Sequence, residues 1–271
     1  MDLVIRKLTT IEEVRLIKPL EEKVWQSDAV PLHQLYTAVQ NGGLLIGAFH
    51  EERLIGFSYS FPGFQDGSVY LCSHMLGIDP DYRSQGIGRK LKERQLILAE
   101  QMGYELVVWT YDPLESRNAY LNLTKLHGIC STYLENWYGE MADGLNQGLP
   151  TDRFKVEWWI RSKRVQSAWM PDAVLFEQPC SISYTASGNP QIKEEIGQLC
   201  LGADGYEIPV PTDIQQMKKA EPALAYKWRM QLRTIFQQLF AAGYAAVGVR
   251  RTQQDKGIYY YQLVRRESLP L

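Results

Sequence analysis

Cysteine is sparse in this chain of 271 residues: only Cys72, Cys130, Cys180 and Cys200 occur, with no CxxC pair and no histidine at metal-ligand spacing. That scarcity argues against a zinc site, so no metal is expected, and the thiols read as free and buried in a reducing compartment. Long apolar runs are missing too, since nothing approaches the ~18–20 residues of a membrane span. The opening Met1-Asp2-Leu3-Val4-Ile5-Arg6-Lys7 lacks the basic flank and apolar stretch of a secretory leader. A cytoplasmic protein with no membrane partner is the expectation. Charge of one sign is equally absent: the net charge of -2 provides no field for a polyanion, and nucleic acid is not expected as a partner. Neither GxxxxGK[ST] nor a complete GxGxxG is present, which removes the P-loop and the dinucleotide fingerprint.

What is present is an ordinary globular composition, 45% hydrophobic and 22% charged, in a chain long enough for one large domain or two modest ones. Residues 3–8 alternate as a strand, and Thr9 or Thr10 can cap a helix carrying Ile11, Val14, Ile17 and Leu20 on one face. Pro31 opens a second helical stretch that ends near Gly42-Gly43. Residues 44–50 and 54–61 read as an antiparallel hairpin, and 69–78 as a third sheet-like run. A helix over about 88–102 follows, then a strand over 106–109, a helix over 119–126 and strands over 129–134 and 156–160. The stretch 136–151 reads as an ordered loop, and 162–171 as a linker. Beyond it, strands over 181–185, 206–210, 245–250 and 258–264 and a helix over about 222–242 form a further α+β unit.

The segment Gly77 to Leu91 carries the chemistry. It ends a strand, turns at Asp79-Pro80, and enters a helix, so the backbone N–H groups of Ser84, Gln85, Gly86, Ile87 and Gly88 converge where the helix dipole is positive. Gly86 and Gly88 remove side chains that would keep a pyrophosphate from the main chain, and Arg83 and Arg89 can add charge-assisted contacts.

Arg83-x-x-Gly86-x-Gly88 after a strand and an x-Pro turn resembles the acyl-CoA loop of the GNAT N-acetyltransferase superfamily. Downstream, Ala119, Lys125 and Leu126 keep the spacing of that superfamily's N-x-x-A-x-x-L-Y-x-K-L-G helix. Residues 109–119 and Asp152-Arg153-Phe154 look like a bacterial branch with an extra C-terminal region. The resemblance covers about residues 3–160. It implies an α+β fold with a mixed, mostly antiparallel sheet flanked by helices, and a V-shaped gap between two parallel strands where CoA enters. Residues 1–162 would form the catalytic domain and 172–271 a smaller C-terminal α+β domain. Leu76 and Ile78 would line the cofactor along the strand, with Ser116 and Asn118 bonding the pantetheine amides or capping a helix.

The implied reaction moves an acetyl group from acetyl-CoA to the amine of a small molecule or amino acid by direct attack. Succinyl-CoA stays open as the donor, with Arg117 or Arg153 to meet its carboxylate, and so does a non-catalytic acyl-CoA-binding module. A homodimer also stays open. The superfamily's usual acid is a tyrosine, but Leu123 stands at that position; Tyr120 or Tyr133 could replace it. His74 is the candidate base, with Asp112 and Glu115 as carboxylate alternatives. Trp137 and Tyr138 could wall an acceptor pocket.

Overall fold

The computed structural model describes residues 2–26, 29–141, 146–170, 174–194 and 197–271. Strand β1 (Leu3–Lys7) pairs with β2 (Leu44–His50), β2 with β3 (Arg53–Gln65), and β3 with β4 (Ser68–Ile78), all antiparallel. Strand β5 (Leu106–Tyr111) then joins β4 in parallel. Sheet and helices give the mixed, mostly antiparallel α+β architecture expected.

The expected N-terminal helix is two: α1 (Ile11–Arg15) and α2 (Ile17–Trp25). Thr10 closes a capping box with Glu13, its hydroxyl accepting from the Glu13 amide at 3.3 Å while Glu13 accepts from the Thr10 amide at 3.2 Å. The break falls where Pro19, lacking an N–H and crowding the carbonyl of Arg15, fits only the first turn of a new helix. With α3 (Leu32–Gln40), these helices bury Val14, Ile17, Leu20, Leu35 and Val39 against Leu45, Phe57 and Tyr59 of the sheet. Helix α4 (Ile87–Gln101) turns Ile87, Leu91, Lys92, Gln95 and Ala99 inward, so its buried stripe includes two polar residues.

The chain forms two compact units, residues 1–109 with 159–161, and residues 110–158 with 162–271. The sequence suggested a boundary between 162 and 172 and a smaller C-terminal domain; the second unit is instead the larger. The reason lies in the pairing. Strand β6 (Ile129–Leu134) pairs with β7 (Arg153–Trp159) and, through Cys130 opposite Ala246, with β12 (Tyr244–Arg251). Strand β12 pairs in turn with β13 (Ile258–Arg265), and β13 with β11 (Gly205–Pro211). Helix α8 (Pro222–Ala241) buries Trp228, Leu232, Phe236 and Leu239 as its stripe demands. Phe154 of β7 meets Phe236 at 4.7 Å between ring centroids and Tyr261 at 5.6 Å.

Residues 162–166 do not behave as a linker. They include the short helix Lys163–Gln166, and the fully buried Arg164 donates to the carbonyls of Val247 at 2.6 Å and Trp169 at 3.0 Å. Pro171 and Asp172, where the linker and the C-terminal domain were expected to meet, lie outside the described residues, as do Met1 and 142–145 of the expected loop. The helix expected over 119–126 is a short α-turn, Ser116–Ala119, continued by a π-helix over Tyr120–Lys125. The Leu126 amide accordingly bonds the Leu121 carbonyl, five residues back, at 2.9 Å.

A buried ion cluster braces the second unit. Asp152, with no exposed surface, accepts from Arg233 Nε at 2.8 Å and Nη2 at 2.7 Å, from the Tyr133 hydroxyl at 2.6 Å and from the Asn136 amide at 3.0 Å. Arg229, 1% exposed, donates to Asp112 at 2.5 Å.

Candidate functional site

The glycine loop begins at a fixed corner. Asp79 caps the turn after β4, and its carboxylate accepts from Lys23 at 2.7 Å, Arg53 at 2.7 Å and the Asp81 amide at 3.1 Å. Burial opposes its ionisation, but those donors outweigh it and hold the carboxyl below its ordinary range. From that corner the chain adopts left-handed backbone twice, at Ser84 (φ 63°) and Gly86 (φ 77°), before α4 starts. Such alternation turns successive N–H groups to one side and makes an anion-binding concavity. No side chain caps α4, so its first amides meet solvent and a positive dipole end. A Cβ built at Gly86 meets nothing within 4 Å, and one at Gly88 meets only Leu76 Cδ2 at 3.7 Å. The cradle therefore fits a diphosphate. Arg83 is exposed, while Arg89 is already paired with Glu93 at 2.8 Å.

Along the strand leading to this loop, the ladder between β4 and β5 is confined to Leu71 opposite Val107 and Cys72 opposite Val108. β4 continues without it to Ile78, carrying Leu76 and Ile78, so the two parallel strands part from Ser73 and Trp109 onward. At the same level β4 is irregular: Tyr59 faces Met75 and Ser60 faces Ser73, leaving His74 as the extra residue of a β-bulge. A bulge re-aims its side chain. The His74 ring has one side toward solvent and the other against Phe61 at 5.7 Å and Tyr59 at 6.2 Å between centroids. Partial loss of water pushes its pKa below the usual value, favouring the neutral imidazole. Phe61 and Tyr59 also wall a groove of about 500 Å³, completed by His33, Gln34, Thr37 and Asn41.

On the α4 side of the same level lies a polar cluster that the sequence reading missed. Lys92, 2% exposed, donates to Ser73 Oγ at 2.8 Å and Gln95 Oε1 at 3.1 Å, and its Nζ sits 3.6 Å from the centre of the Trp109 ring. Gln95 Nε2 donates onward to Ser60 at 2.6 Å, Ser73 at 2.9 Å and Ser58 at 3.2 Å. The signal was available: Lys92 and Gln95 lie on the apolar stripe of Ile87 and Leu91, opposite serines at alternate positions of β3. Burial pushes the Lys92 pKa down to about 7, with only Cys72 acting the other way.

This burial has a consequence for stability. Below about pH 7 the amine is charged in both the folded and unfolded states; between about 7 and its ordinary 10.5 only the unfolded chain keeps the proton. Unfolding free energy should therefore climb with pH through that window, and Lys92→Met should raise the urea midpoint at neutral pH. Flat stability from pH 7 to 10 in both proteins would contradict the burial of a charge.

In the second unit Glu115 accepts from Gln215 Nε2 at 2.6 Å, and burial pushes its pKa up. The buried Ser116 hydroxyl donates to the Thr212 carbonyl at 3.1 Å. Asn118 is exposed. Tyr120 lies under the Arg251 guanidinium, 3.5 Å from its ring centre. Tyr133 is committed to Asp152, and Leu123 is fully buried. Arg153 donates to Asn146 Oδ1 at 2.6 Å and the Asp152 carbonyl at 2.9 Å, while Arg117 is exposed. Trp137 and Tyr138 are exposed, with the Tyr138 hydroxyl 3.1 Å from Thr110 Oγ1.

Among the described residues no group of three or more His, Cys, Asp or Glu side chains could hold a metal, and no helix is long and apolar enough to cross a membrane. Residues 11–124 match the acetyltransferase (GNAT) family. No curated protein matches the chain. Among solved structures, the ribosomal-protein-S18-alanine N-acetyltransferase from Escherichia coli is similar at 15% identity, covering 65% of this chain and 100% of its own, with a TM-score of 0.47. Arabidopsis thaliana Naa50 bound to a bisubstrate analogue is similar at 14% identity over 58% of this chain and 98% of its own, TM-score 0.46. An Escherichia coli GNAT family N-acetyltransferase in complex with CoA shows 26% identity over 43% of this chain and 66% of its own, TM-score 0.37.

Proposed function

We propose, from the match of residues 11–124 to the acetyltransferase (GNAT) family, that the protein transfers the acetyl group of acetyl-CoA to the amine of a small molecule or amino acid. The observation that carries the reading is the uncapped N-terminus of α4, entered through left-handed backbone at Ser84 and Gly86 and placed at the end of a strand that parts from its parallel neighbour. When bound, acetyl-CoA supplies a thioester whose acyl carbon an amine can attack.

The chain's own residues then divide the work. Amides of Ser84 to Gly88 grip the diphosphate, and Arg83 adds charge at its rim. Leu76 and Ile78 flank the pantetheine arm along β4; from Ile78 to Ser73 the strand rises ~17 Å at ~3.3 Å per residue, comparable to that arm extended. The acyl end thereby falls at the level of the His74 bulge. The acceptor enters the groove between α3 and β3, whose aromatic wall His74 shares. Neutral His74 takes the proton from the attacking nitrogen, directly or through a water. Ser116, occupied by Thr212, is better read as a brace for the helix start.

The test is thiol release from acetyl-CoA and succinyl-CoA against a panel of amines and D- and L-amino acids. Turnover with one donor fixes the acyl group; coenzyme A binding with no turnover at all would favour the acyl-CoA-binding module. His74→Gln should lower kcat by about 10²-fold or more. The acid limb of the wild-type profile should lie below the ordinary pKa of histidine, with activity rising as the imidazole loses its proton. An unaltered rate and limb in the variant would take His74 out of the base's role.

A further inference from the structure

The strands β4 and β5 part at Ser73 and Trp109, and one side chain fills the apex of that parting on the α4 side: Lys92. Its three N–H bonds have three directions to satisfy, toward Ser73, Gln95 and the face of Trp109, and all three partners are neutral. From β3 come Ser58 and Ser60, from β4 the titratable Cys72 beside Ser73, and from β5 Trp109; no carboxylate forms an ion pair with it among the described residues. Burying an ammonium without a counter-anion is costly, and apolar side chains would fill the place more stably.

We propose that Lys92 is the proton donor to the departing thiolate of coenzyme A. The inference rests on the functional reading above, which puts the thioester at the level where the strands part. When the C–S bond breaks, its electron pair stays on sulfur. Lys92 Nζ passes one proton to that sulfur and becomes a neutral amine; the proton shed by the attacking nitrogen leaves through His74 to solvent, and Lys92 regains one from solvent once the thiol departs. Atoms and charge balance without any further reactant. The proton transfer is favourable as well, because an amine pushed down to about 7 is more acidic than an ordinary thiol near ~8.5. Ser73 and Gln95 are positioning residues that hold the amine at the apex.

The probe is thiol release from acetyl-coenzyme A by the full chain with the amine that gives turnover, followed across pH, with desulfo-coenzyme A as the affinity control. In the wild type kcat should fall on the alkaline side as Lys92 loses its proton, well below the pH at which an ordinary lysine would give such a limb. Lys92→Met and Lys92→Gln should abolish that limb and lower kcat about 10²-fold, while desulfo-coenzyme A binds within about threefold of wild type. Lys92→Gln keeps a hydrogen-bonding side chain, so a folding defect confined to the methionine variant would not hide the result. An alkaline limb and a kcat that are the same in wild type and both variants overturn the proposal. Coenzyme A that fails to bind the wild type, or that binds Gly88→Trp unchanged, overturns the reading of the site itself and this inference with it.

Discussion

Gly88→Trp should weaken coenzyme A binding about a hundredfold or more, a loss of ~2.7 kcal/mol, without lowering the melting temperature by more than a few degrees. Gly88 lies in the first turn of α4 with ordinary helical backbone, and a Cβ there makes only van der Waals contact with Leu76 at 3.7 Å. The indole would then project across the amides that would otherwise meet the phosphates. Gly86→Trp would obstruct the same place, but Gly86 has a φ of 77°, where an L-residue costs ~1–2 kcal/mol, so binding and folding would change together. Calorimetry of the Gly88 variant with coenzyme A therefore separates the two effects. Unchanged affinity in a folded variant would take the loop out of the binding site.

Asp152→Ala should cost about 3–5 kcal/mol of stability, read as a fall in the urea midpoint. Its carboxylate receives four hydrogen bonds, two of them from Arg233, and it has no exposed surface. Removing it leaves a guanidinium, a phenol and a backbone amide short of an acceptor in a part of the second unit that the α8 stripe and β7 depend on. A loss below about 1 kcal/mol would mean that water replaces the carboxylate at no cost, which its burial argues against.

Much of the first unit was legible in the residues. Two apolar runs joined by the polar Glu51-Glu52-Arg53 gave the hairpin of β2 and β3, and the Gly86-x-Gly88 spacing located the entrance to α4, because both features are local. The bulge at His74 was not legible: an extra residue in one strand depends on how its partner is registered, and nothing in Cys72-Ser73-His74-Met75 announces it. Lys92 was visible as a polar residue on an apolar stripe, yet only the placement of Ser73 and Trp109 reveals what it faces. The division of the chain escaped for a related reason. Cys130 and Ala246 are far apart in sequence, and their pairing assigns β6 to the later part of the chain, whereas a reading by composition searches for a polar gap and finds 162–171.

The same pairing bears on how this protein could be shortened. Trimming the chain after Arg161 would remove β12 and uncover one side of β6, a strand that begins with the buried Ile129 and Cys130. An open, apolar border with vacant main-chain donors and acceptors invites strand-to-strand association between copies. A chain cut to that length should precipitate or oligomerise; the carboxyl-terminal region serves it as a selvedge, whatever else that region does.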